Sequence, residues 1–262
     1  MGRLISGLAI AALALAACTG NDPNTVQSVA TATPGESEAE TQEATPGATQ
    51  EPTASPTPEP EIADPEIVSF SMADDMLSVR LHNPNSDHGL IRAPFELAVL
   101  DADGAIITVT GTEGLPGASC CTIYQLPPGG DFGLSIFMPP DSPAPAALEL
   151  TVPGSPWIEW SDVDAAMVTV ENPTLRQDFS LTLTGRMSVD QPGPFNAWIG
   201  AFVQTAEGEA VITGFVECLT ADTPRAFEVS GFFAVSGAAT LSDVVAYPST
   251  VEGHGDSFTP DC

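Results

Sequence analysis

From residue 65 onward, apolar and polar positions alternate along the chain, broken at short intervals by Asn-Pro, Asp-Gly, Pro-Gly and Gly-Gly. A period of two turns one set of side chains to a buried face and the other to water, which is the mark of a half-buried β-strand. The alternation is cleanest at 179–189, where Phe179, Leu181, Leu183, Gly185, Met187 and Val189 take every second place. Comparable runs rich in β-branched and aromatic residues predict strands over 66–71, 77–82, 95–100, 105–110, 132–138 and 147–152. Between two of them, Asp101-Ala102-Asp103-Gly104 predicts a hairpin whose Asp103 and Gly104 tolerate positive φ. No segment holds a helical period for three turns, so the expected fold is all-β, two antiparallel sandwiches in tandem over 65–156 and 157–262. About 100 residues apiece is enough for each to bury a core of its own.

The N-terminus follows another rule. Arg3 gives a positive start, 4–15 form an apolar run too short to cross a bilayer, and Ala16 and Ala17 are the small residues a signal peptidase requires. The ending Leu15-Ala16-Ala17-Cys18 resembles the lipobox of bacterial lipoproteins. That resemblance implies that residues 1–18 are a lipoprotein signal with its cysteine, Cys18 becoming the thioether-linked first residue of the mature chain. Sulfur is a strong nucleophile toward a lipid donor, and acyl chains at about 0.8 kcal/mol per buried methylene make a lasting membrane tether. The aspartate that retains some lipoproteins in an inner membrane has no counterpart at Thr19.

Residues 19–64 are rich in Thr, Pro, Ala, Glu and Gln, with no aromatic and no basic side chain. Such a composition cannot bury enough apolar surface to offset the entropy of ordering, so a disordered stalk is expected, about 140 Å long at full polyproline extension. Its threonines and serines are candidates for O-glycosylation. Across the chain 35 acidic residues face 6 basic ones, all arginine, for a formal charge of −29. Nucleic acids and anionic headgroups are recognised through Lys and Arg, so nucleic acid is excluded as a partner.

Two echoes suggest an internal repeat. Val168 to Thr174 (VTVENPT) echoes Val79 to Asn85 (VRLHNPN), and Ala201 to Gly214 echoes Ala98 to Gly111, each with a strand, an acidic-Gly turn and a second strand. The Asn-Pro after an early strand, Phe95 to Asp101, Asp103-Gly104 and Leu126-Pro-Pro-Gly129 together look like FxLyD-type and related late-embryogenesis-abundant Ig-like sandwiches. In the second module, Leu183-Thr-Gly185, Glu207-Gly208 and Arg225-Ala-Phe227 are similar to the Ig-like modules of bacterial spore-germination proteins. Both resemblances imply secreted adhesive or accessory modules with no shared active site.

Apart from Cys18, four cysteines remain, and an even number in an exported chain favours disulfides. Cys218 with Cys262 would pin the Gly-rich C-terminus to the second module, leaving Cys120 and Cys121 as a vicinal pair; the alternative is that one or both of these cross to the second module. Zinc is disfavoured by Cys-Cys adjacency and by only three histidines, His82, His88 and His254. As a calcium loop, Asp101 and Asp103 lack the further oxygen ligands and the distal Glu of the twelve-residue pattern. Gly255-Asp256-Ser257 has no strand-to-helix elbow, and neither a P-loop nor a dinucleotide glycine fingerprint occurs. No catalytic residue, metal ligand or cofactor is therefore expected. Trp157 and Trp160 are the candidate binding residues, either as a sugar-stacking platform or as filling for the seam between modules. The expectation is a lipid-anchored extracytoplasmic protein, not an enzyme, that meets the membrane through its lipid and an envelope protein or polysaccharide through its modules. The alternative is a carbohydrate- or metal-binding module serving as accessory domain of a hydrolase.

Overall fold

A computed structural model describes residues 62–111, 121–154, 157–221, 223–231, 233–249 and 262. The expected Cys18 lipidation site, residues 19–61 of the expected stalk, Cys120 and His254 lie outside these residues.

The architecture is all-β, antiparallel and sandwich-like, as the period-two pattern requires. Nine strands come first: β1 (Glu66–Ala73), β2 (Met76–His82), β3 (His88–Pro94), β4 (Glu96–Leu100), β5 (Ile106–Thr110), β6 (Thr122–Leu126), β7 (Asp131–Phe137), β8 (Ala147–Thr151) and β9 (Trp157–Glu159). A single 3-10 turn at Trp160–Asp162 leads to β10 (Val168–Gln177), β11 (Leu181–Val189), β12 (Phe195–Gln204), β13 (Glu209–Leu219), β14 (Arg225–Ser230) and β15 (Thr240–Pro248). They pair into three-stranded sheets in the orders β1-β2-β7, β6-β3-β9, β5-β4-β8, β10-β11-β14 and β13-β12-β15.

The first three sheets close around a core in which Leu77, Val79 and Leu81 of β2 meet Leu97 and Val99 of β4, with Phe95 fully buried between β3 and β4. The last two enclose a second core built from Leu181, Leu183 and Met187 of β11 against Ala197, Ile199 and Ala201 of β12. Trp157–Glu159, which the sequence places at the head of the second module, instead pairs with His88, Gly89 and Leu90 and extends a sheet of the first. Three residues flanked by Pro156 and Trp160 carry too little pattern to show which neighbour they join.

The expected hairpin at 101–104 joins β4 to β5. Asp101 Oδ1 accepts the amides of Asp103 and Ala105 at 2.9 and 2.8 Å, so this carboxylate organises the turn. Only Gly104 takes positive φ, +77°, while Asp103 does not. The two Asn-Pro echoes diverge. Asn83 is fully buried, and its Nδ2 donates to the carbonyls of His88, Leu126 and Pro127 at 2.7, 3.2 and 3.0 Å, tying the turn after β2 to the Leu126-Pro-Pro-Gly129 turn. Asn172 is exposed at φ +49° where the β10–β11 register shifts. The other echo keeps its form: β12 and β13 make a hairpin, as β4 and β5 do.

Candidate functional site

Strand β12 is buried along nearly its whole length, from Asn196 to Val203. Its Ala197, Ile199, Ala201 and Val203 face the second core, which leaves Trp198 and Phe202 on the opposite face. Trp198, 3 % exposed, packs into the first core, stacked on Phe132 with ring centroids 4.2 Å apart and on Tyr247 at 6.1 Å. Gly200 makes room for it, since a Cβ there would lie 2.4 Å from the indole. In return the first module lends Ala73 and Met76, at the β1–β2 turn, to the second core. The seam between the two cores is thus packed like an interior.

One end of that seam is charged. Arg80 of β2 lies over the Phe202 ring, 4.0 Å from its centroid, and its guanidinium reaches Asp131 at 2.5 Å, Glu209 at 3.2 Å and Asp243 at 3.3 Å. Partial burial alone would weaken the Arg80 charge; the hydrogen bond and charge of Asp131, joined by Glu209, outweigh it and raise the pKa above the ordinary value. His82 shares Asp131 at 2.9 Å, and Ser69 Oγ donates to Glu209 at 2.5 Å. Tyr247 donates its hydroxyl to the Asp131 carbonyl at 2.9 Å, and burial pushes its phenol far up from the ordinary range. With a cation held by three carboxylates from β7, β13 and β15, this cluster is an ionic clamp across the seam.

The other end is open. A groove of about 390 Å³ runs between β6 and β7 on one side and β13 and β14 on the other. Tyr124 and Phe215 meet edge to face at its lip, centroids 5.0 Å apart, and Phe215 stays 43 % exposed. Burial raises the Tyr124 phenol, an effect that Arg92 opposes. Trp198 and Phe132 form part of the lining, and Thr213, Glu228 and Ser230 supply its polar groups. Aromatic faces beside hydroxyls and one carboxylate suit a ligand with both apolar and hydrogen-bonding parts.

The two tryptophans singled out from sequence do not come together. Trp157 packs on the first core opposite Leu90, whereas the Trp160 ring covers Gly89, one position along and hence on the other face of β3. The seam tryptophan is Trp198. The sequence held a sign of it in the continuously apolar stretch around 197–203, which a strand covered on both faces shows and a half-exposed strand does not. Cys218 is bonded to Cys262, S–S 2.01 Å. Cys121 is disulfide-bonded and buried, at φ +90°. His88 pairs with the exposed Asp87 at 2.8 Å, and among the described residues no group of three His, Cys, Asp or Glu side chains is placed to hold a metal ion.

Comparison with protein-family models, with curated proteins and with solved structures finds no match to this chain.

Proposed function

We propose that this chain is a bacterial lipoprotein whose lipidated Cys18 holds it to the outer face of a membrane, where a Thr/Pro/Glu-rich stalk presents two Ig-like modules that bind an envelope protein or polymer without catalysis. The observation that carries the reading is the apolar run closed by Leu15-Ala16-Ala17-Cys18. The Cys218–Cys262 bond supports it, because disulfides persist in oxidising, extracytoplasmic surroundings. The Arg80 cluster that ties Asp131, Glu209 and Asp243 together across the two cores is consistent with a display role.

The decisive experiment expresses the full chain and its Cys18→Ala variant in a bacterial host with radiolabelled palmitate and fractionates the cells. The expected result is label and membrane association in the wild type and loss of both in the variant. Unlabelled wild-type protein, or protein in the cytosol with reduced thiols, overturns the reading.

A further inference from the structure

The open groove has a free sheet edge along its floor. In the β12–β13 pair the register runs without interruption from Gln204↔Glu209 to Ala197↔Val216. Along an antiparallel edge strand, every second residue turns its N–H and C=O away from its partner. The hydrogen bonds identify which residues these are. The Val211 amide donates to Ser78 Oγ at 3.0 Å, the Val211 carbonyl accepts from Ser135 Oγ at 2.6 Å, and the Glu209 carbonyl accepts from Ser71 Oγ at 2.8 Å. Residues 209 and 211 therefore point outward, into the first module. By the same alternation Thr213 and Phe215 point outward as well, and both line the groove. Among the described residues nothing from the chain is hydrogen-bonded to their outward backbone groups.

We infer that the groove takes an extended polypeptide segment of a partner protein, added as a further strand along Thr213 to Phe215. The inference rests on the proposed binding role and names its site and partner class. An added strand would give Thr213 and Phe215 the hydrogen bonds that serine hydroxyls give Glu209 and Val211, and main-chain pairing of this kind supplies affinity while flanking pockets supply specificity. The Tyr124–Phe215 pair grips an apolar or aromatic side chain of the guest. The formal charge of −29 selects a neutral or basic segment over an acidic one. A saccharide would use the aromatic lip but has no need of donors and acceptors repeating every second residue.

The test pans a phage-displayed library of random linear decapeptides against the full-length chain in detergent, then remakes the enriched peptide with single N-methyl groups at each position in turn. The expected result is enrichment of sequences that alternate apolar with neutral or basic residues. N-methylation should weaken binding tenfold or more at alternate positions and less than twofold between them. The Tyr124→Ala, Phe215→Ala double variant should bind the unmethylated peptide at least tenfold more weakly; the methyl scan modifies only the peptide and so leaves the fold of the protein untouched. Three outcomes overturn the inference: no enriched peptide, loss without a two-residue period, or binding indifferent to the double variant. Binding on a glycan array that is lost in the double variant, with no peptide enriched, also overturns the inference and reassigns the groove to a saccharide. None of these touches palmitate labelling, so failure here and failure of the anchored-display reading stay distinguishable.

Discussion

The two ends of the seam are built on the same strand and finished differently. At Glu209 and Val211 the outward edge of β13 is met by Ser71, Ser78 and Ser135, and Arg80 ties the neighbouring carboxylates together. Two positions further along, Thr213 and Phe215 meet a groove. The difference shows that a sheet edge needs no strand to be satisfied. Hydroxyls on the face of another sheet suffice, as the buried polar groups demand. Beyond the reach of those hydroxyls, the edge faces the groove.

The comparison breaks most severely at Trp198, which serves both ends. Trp198→Ala removes a side chain buried in the partner module's core and is expected to cost about 3–5 kcal/mol. Urea unfolding followed by intrinsic fluorescence and by circular dichroism should then give separated midpoints in place of coincident ones, because the modules lose their shared anchor. Coincident transitions at wild-type stability would remove Trp198 from that role.

The filled end is sharpened by the serines. Replacing Ser78 and Ser135 together by alanine leaves the Val211 amide and carbonyl unpaired, with an expected loss of about 2–4 kcal/mol for two buried groups. Hydrogen exchange at Val211 should accelerate far more than at Thr213, which faces the groove already. Equal acceleration at both would mean that the two halves of the edge do not differ.

Tyr247→Phe gives the smallest change, about 1 kcal/mol for the lost bond to the Asp131 carbonyl. Its pH dependence is more telling. The folded pKa of Tyr247 is raised by burial, so its neutral form is favoured in the folded state. That stabilisation is complete below the unfolded value near ~10 and is lost as pH rises toward the raised folded value. Melting temperatures of the wild type should therefore fall above about pH 10 more steeply than those of Tyr247→Phe. Parallel curves would contradict the buried phenol.

Among the strands legible in the sequence, β11 shows the two-residue alternation most cleanly. Over 179–189 the alternation predicts β11 (Leu181–Val189), whose Leu181, Leu183, Met187 and Val189 are buried, while Phe179 is 98 % exposed beyond the strand's start. Asp101 to Gly104 announced its hairpin through local turn chemistry alone. The strands β3 and β6 were missed because positive φ at Arg92 and an inward Gln125 break their period. Trp157 turns to a core and Trp160 to Gly89, a division set by their surroundings and not by residue type.

What the sequence determined by itself is therefore whatever rests on neighbours along the chain: β character, the Asp101 turn, the acidic balance and the expectation of an anchored, exported protein. Which sheet covers which, why Trp198 belongs to a core its own module does not own, and where the β13 edge is left open were decided by tertiary structure. Those features join residues far apart in the chain, such as Ser78 with Val211, and no periodicity reaches across that distance.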